Sequence, residues 1–213
     1  MNKILSREQW QKERRKLLAE EKAHTRAGDR LAHARRELPW VRVEEGYHFT
    51  GSTGSLSLVD LFGIESQLII YHLMFGVSWE EPCPGCSAWA DAFNGTTDSF
   101  SNADAKLIAV SRAPIERLTE TANKRGWTFT WVSSGGSDFN LHYGVSTNEE
   151  GQEKKDIGTE EIEFDRGENH GISVFVKEAD GSIFHTYSCY NRGIEAMNGA
   201  FAYYDLLPYG RKW

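Results

Sequence analysis

Residues 68–86 read LIIYHLMFGVSWEEPCPGC, and the fold turns on how this stretch is parsed. Leu68 to Phe75 is an unbroken apolar run rich in branched and aromatic residues, the pattern of a strand buried on both faces of a sheet. Gly76 to Pro82 then breaks it as a loop, and Cys83-Pro84-Gly85-Cys86 leads into Ser87–Phe93, where Trp89 and Phe93 share a helical face. A pair of cysteines therefore sits between a core strand and the helix that follows it.

Downstream, Lys106–Ser111 reads as a second buried strand. Pro114–Arg125 reads as a helix, with proline near its start and Gly126 just past its end. This β-α-β-α alternation builds a parallel sheet. Phe129–Ser133 is short and extended, Asp138–Val145 carries aromatic residues, and Ser146–Asn169 is an acidic stretch expected to be a long loop or insertion. Ile172–Lys177 and Ser182–Tyr187 are predicted strands joined through Ala179-Asp180-Gly181, whose Asp-Gly marks a hairpin, and Gly193–Leu206 is expected to close the chain as one helix. The order is that of an α/β, thioredoxin-like mixed sheet flanked by helices.

Upstream, Ser6–Leu38 reads as a polar helix with Trp10, Leu17, Leu18, Leu31 and Leu38 among charges, with Gly28-Asp29 a point of interruption. Arg14-Arg15-Lys16 is a solvated face, because Glu13, Glu20 and Glu21 lie beside it. Such a helix needs a surface to lie on, either the main domain or a second copy in a homodimer. Val41–Phe49, the Gly51–Gly54 turn and Ser57–Phe62 suggest an introductory hairpin. The expected division is a helical extension over 1–38 and a thioredoxin-like domain over 39–213.

The chain has 213 residues, 39% of them hydrophobic, enough for one substantial core. With 24 Lys and Arg against 31 Asp and Glu, a net charge of -7 disfavours nucleic acid and anionic lipid as partners. Residues 1–21 contain no apolar run of the roughly 7–15 residues of a secretory signal, and no stretch approaches the ~20 apolar residues of a membrane span. The expected location is cytoplasmic. Three cysteines, two in C-x-x-C and one alone, do not form an even disulfide framework, so in a reducing compartment the pair is catalytic or metal-binding.

The chain also resembles the bacterial thioredoxin-like family of unknown function numbered 899. The motifs are Glu37–Val41, Tyr71–Gly76, Trp79–Cys86 with Trp89-Ala90-Asp91, Val110–Pro114, Gly126-Trp127 with Trp131–Ser134, and Phe184–Tyr187. The resemblance covers nearly the whole chain and implies the thioredoxin superfamily, with no reaction attached. Compared with thioredoxins proper, the middle dipeptide is Pro84-Gly85 rather than Gly-Pro, and His170-Gly171-Ile172-Ser173 lacks the proline that shapes their groove and discourages metal binding.

Reaction with a disulfide or peroxide needs a thiolate, and a cysteine with a pKa of about 8.5 provides little at neutral pH. A helix N-terminus favours the anion, so Cys83 is the expected nucleophile and Cys86, one turn deeper, the resolving thiol. Glu80 and Glu81 would raise the thiol pKa or transfer protons for Cys86, unless they are merely solvated loop carboxylates. Trp79, Pro84, Gly85, His170, Gly171 and Ile172 are candidates for a substrate groove. Trp79 is alternatively a packed aromatic, and His170 is a base, a metal ligand or a plain loop histidine. His72 reads as a buried, hydrogen-bonded core histidine and Cys189 as a small buried apolar residue, while His142 and His185 receive no role.

These readings give a thiol-disulfide oxidoreductase without a cofactor, acting on a redox partner protein or a small disulfide or peroxide. The competing readings are a soft-metal site built from Cys83, Cys86 and a histidine such as His170, a non-catalytic scaffold, and a thiol peroxidase. The peroxidase reading is the weaker because Glu80 stands where peroxiredoxins resemble one another in Thr or Ser, three residues before the cysteine.

Overall fold

A computed structural model describes residues 3–147 and 164–211. The chain forms two units, Met1–Pro39 and Trp40–Trp213. The first is the helix α1 (Arg7–Arg36), started by a reciprocal capping box between Ser6 and Gln9 and containing no buried residue. It runs through Gly28-Asp29 without a break: a single glycine weakens a helix by only about 1 kcal/mol and does not end it.

In the second unit β1 (Val41–Arg42) precedes a hairpin of β2 (His48–Gly51) and β3 (Gly54–Ser57), then a short helix α2 (Leu58–Phe62). The core follows as β4 (Gln67–His72), α3 (Pro84–Phe93), a 3₁₀ helix (Thr97–Ala103), β5 (Ala105–Ser111), α4 (Ile115–Arg125) and β6 (Trp131–Ser133). After α5 (Phe139–His142) come β7 (Gly171–Lys177), β8 (Ile183–Tyr190), a second 3₁₀ helix (Asn191–Met197) and α6 (Gly199–Tyr204). Residues 148–163 of the expected acidic loop lie outside the described residues.

The eight strands form one sheet in the order β1-β8-β7-β4-β5-β6-β2-β3. β4, β5 and β6 run parallel, β7 and β8 antiparallel, as the thioredoxin-like reading requires. Alternation along the central strands sorts side chains onto two cores. Leu68, Ile70, Ile108 and Val110 pack on one face with Phe49, Phe62, Phe139 and Phe175. Tyr71, Leu107, Ala109 and Ile172 pack on the other with Cys86, Trp89, Phe93 and Leu118. On that second face one rung of the sheet, Trp131-Ala109-Tyr71-Ile172-Cys189, lies beneath α3.

His72 is 1% exposed on the opposite face and lies 2.8 Å through Nε2 from Ser173 Oγ. Ser173 continues to Ser188 at 2.8 Å, and Ser188 to His185 Nε2 at 2.7 Å. Burial holds the His72 imidazole down to about 3, so it is a neutral member of this network, the core histidine expected. Cys189 is likewise buried.

The expected single helix at Gly193–Leu206 is two pieces. Asn198 adopts φ −92°, ψ 107° and its side chain accepts from Ala200 N–H, so it caps a new helix instead of continuing the old one. Among the described residues no helix is long and apolar enough to cross a membrane.

Phe175 is fully buried on the face away from Cys86. Phe175→Ala should lower unfolding free energy in urea by about 3–5 kcal/mol through lost burial and the cavity left behind, with the reactivity of Cys83 unchanged.

Candidate active site

Strand β4 delivers its chain to Met74, whose carbonyl accepts from Cys83 N–H at 2.9 Å, so the strand itself sets where the dithiol begins. Cys83 is the N-cap of α3 with no side-chain capping bond, and Pro84 occupies the first turn, where a missing N–H costs nothing. The N–H groups of Gly85 and Cys86 point at the Cys83 sulfur. Gly85 lies close against it: a Cβ there would stand 3.9 Å from Sγ. Among the described residues no cysteine is joined in a disulfide.

The two thiols of the motif have opposite characters. The Cys86 S–H donates to the Cys83 sulfur, and this bond, helped by the two backbone N–H groups, lowers the Cys83 thiol to about 6 from an ordinary 9.0 against the opposing effect of partial burial. The same bond, together with burial, pushes Cys86 well above its usual range. Cys86 is 4% exposed and lies against Tyr71, whose fully buried hydroxyl interacts with the Cys86 sulfur and meets no nitrogen or oxygen partner among the described residues.

Beside the dithiol lies a cavity of about 270 Å³ lined by both cysteines, Gly85, Tyr71, Trp89, His170 and residues of the last two helical segments. Tyr71 and Trp89 stack at 4.3 Å between ring centroids. His170 lines the same cavity as the thiols, and burial lowers its pKa, keeping the imidazole neutral at physiological pH.

The other predicted residues are distributed differently. Gly171 and Ile172 belong to β7 and do not line the cavity. Gly171 is a glycine for steric reasons: a Cβ would stand 2.5 Å from Tyr190 Cδ1 and 2.9 Å from the Cys189 carbonyl. Ile172 is core beneath α3. Trp79 is 4% exposed and packed, with the Arg166 guanidinium 3.7 Å over its ring. Glu81 turns to Lys124 at 3.1 Å, and Glu80 and Glu81 line a separate cleft with Arg117 and Glu120. Neither faces the thiol cavity. The carboxylate that acts on Cys83 is instead Asp165, whose negative charge raises the thiol.

Asp165 belongs to a loop whose anchor the sequence did not single out. Glu168 is 1% exposed, accepts from Arg112 Nε at 2.7 Å and from Ser146 Oγ at 2.7 Å, and so ties the segment leading to His170 onto the ends of other elements. Burial raises its carboxyl while Arg112 and Ser146 oppose the rise. Among the described residues no three His, Cys, Asp or Glu side chains converge as metal ligands, so the set of Cys83, Cys86 and His170 does not close around an ion.

Residues 1–213 match the family described as bacterial protein of unknown function (DUF899). The chain belongs to this family. No curated protein matches it. Among solved structures, the chain is similar to peroxiredoxin Q of Xanthomonas campestris at 18% identity, covering 78% of this chain and 93% of that one with a TM-score of 0.53. A second, a bacterioferritin comigratory protein of Xanthomonas campestris studied for alkyl peroxide reduction, matches at 18% identity over 75% and 94% with a TM-score of 0.50. At such identities the likeness establishes that this DUF899 member has a thioredoxin-like fold.

Two measurements check the site. Arg112→Ala should cost about 3–5 kcal/mol in urea unfolding, because it strands the buried Glu168 carboxylate, and should speed hydrogen exchange at 168–170. Asp165→Asn should move the alkylation midpoint of Cys83 to lower pH by a fraction of a unit, the sign following from loss of a negative charge beside a thiolate.

Proposed function

We propose that this DUF899 protein is a thiol-disulfide oxidoreductase in which Cys83 attacks and Cys86 resolves. What supports the reading is the asymmetry of the pair: Cys83, partly exposed at the start of α3 with the Gly85 and Cys86 N–H groups on its sulfur, beside the buried Cys86, a placement that lowers the first thiol to about 6 and raises the second. Near neutral pH the first is largely thiolate, and the second keeps its proton until the first has reacted.

The Cys83 thiolate attacks one sulfur of R–S–S–R′, forming Cys83–S–S–R and releasing R′S⁻, which takes up a proton from solvent. With Cys83 no longer anionic, the hydrogen bond that held the Cys86 proton is lost. His170, neutral and in the same cavity, accepts that proton, the Cys86 thiolate attacks the Cys83 sulfur to expel RS⁻, and RS⁻ takes the proton from His170 to leave as a thiol. One disulfide is reduced to two thiols while the Cys83–Cys86 dithiol becomes a disulfide, and an external dithiol returns it to the reduced state. The redox partner is thus a dithiol donor, and nothing in the cycle calls for a cofactor. A compartment that keeps thiols reduced, such as the cytoplasm, suits such a cycle.

Iodoacetamide alkylation of the reduced protein should rise with a midpoint near pH 6 for Cys83, set by its depressed pKa, and this phase should vanish in Cys83→Ser. Cys86→Ser should accumulate a mixed disulfide on Cys83, visible by mass spectrometry, without completing a turnover. A midpoint near the ordinary cysteine value, or normal turnover in Cys83→Ser, would sink the reading.

A further inference from the structure

Resting on the thiol-disulfide reading above, we infer that the substrate is a low-molecular-weight disulfide with an apolar, ring-sized half that seats in the cavity beside Cys83, and not a polypeptide disulfide. Three independent features of the site converge on this.

The first is main-chain chemistry. An extended polypeptide docks on a thiol site by pairing its backbone with an unpaired strand edge or loop. His170 lines the cavity beside the dithiol, and its main-chain groups are already paired. The His170 N–H donates to Asn169 Oδ1 at 2.8 Å and the His170 carbonyl accepts from Asn191 N–H at 3.4 Å. Gly171 is in register with His72 on one side and Tyr190 on the other, because β7 is an interior strand. The main chain at His170 thus has no free N–H to offer a peptide.

The second is the cavity itself. Its walls are Tyr71 and Trp89 from the sheet and α3, and Ile194 and Phe201 from the C-terminal segments. At about 270 Å³ it exceeds the ~150 Å³ hollow that takes up benzene, leaving room for a ring and its substituents, roughly ten heavy atoms. Phe201 is fixed from outside: Arg211 lies 4.7 Å from its ring centroid and also bonds Asp205 and Glu195.

The third is charge. The ionic groups at the mouth answer each other, with Glu195 3.1 Å from Arg192 and 3.0 Å from Arg211, so an uncharged ligand leaves no ion stranded. The Arg192 side chain is 90% exposed, so it offers a departing alkoxide no buried cation. A disulfide makes no such demand: its leaving group is a thiolate, stable without one. RS⁻ and R′S⁻ leave as two thiols, and an external dithiol restores the protein.

The test is pre-steady-state oxidation of the reduced full chain by three probes: dithiodipyridine (aromatic, uncharged), hydroxyethyl disulfide (aliphatic, uncharged) and insulin (polypeptide). Each rate constant is divided by that of a free alkyl thiolate with the same probe, which removes intrinsic electrophilicity. The aromatic probe should then exceed both others by about tenfold or more, the gain expected from burying one ring. Phe201→Ala should lose most of that preference while the Cys83 alkylation midpoint stays put. Phe201→Leu, which retains bulk, should lose only part of it and serves if the alanine variant does not fold. Equal normalised rates, or insulin fastest, would overturn the substrate assignment and leave the oxidoreductase reading standing. No reaction with any probe, while iodoacetamide still finds Cys83, would overturn the oxidoreductase reading itself.

Discussion

Strand β4 has no exposed face. Leu68 and Ile70 point into one core, Tyr71 into the other, and a chain that must hide both sides of one strand can do so only by layering segments above and below it. The neighbours of β4 follow from that demand, with parallel β5 on one side and antiparallel β7 on the other. So does the placement of α3, which covers the rung through Tyr71 and carries the dithiol at its start. The Met74 carbonyl, just beyond the strand, holds Cys83 N–H, so the Cys83 sulfur is located by a deeply buried part of the molecule.

The chemistry at that point arises from a small difference in depth. Two cysteines one helical turn apart are chemically alike in sequence, yet the outer one receives three donors and the inner one receives burial. A shared proton between them amplifies the difference, because each sulfur is the other's strongest influence. Charges distant in sequence then adjust the outcome. Asp165 acts against the thiolate, whereas the nearby Glu80 and Glu81 face another cleft.

The loop bearing Asp165 and His170 is tied down by main-chain bonds to Val145 and Thr147 and by one buried carboxylate. Glu168 is removed from water, and burying it is tolerable only because Arg112 and Ser146 meet it there. Through that contact the end of β5 positions the segment that walls the thiol cavity.

Much of this was legible in the residues themselves. The apolar run at Leu68–Phe75, the proline and glycine bounding α4 and the Asp-Gly before β8 are local signals, and local signals report secondary structure and its order. The C-x-x-C between strand and helix marked the fold for the same reason, and placed two cysteines one helical turn apart. What the sequence could not decide were matters of direction and depth. Nothing local distinguishes Asp165 and Glu168 from the other acids of their stretch, or shows that Glu81 turns to Lys124. The division of the last helix at Asn198 was equally hidden, since a capping side chain competes with helix continuation on nearly even terms until packing settles it. The cavity against Cys83 joins β4, α3, the residue before β7, the second 3₁₀ helix and α6, segments far apart in the chain. Only the folded sheet brings their side chains together, and the electrostatic imbalance of Cys83 and Cys86 exists only once burial has removed one of them from water.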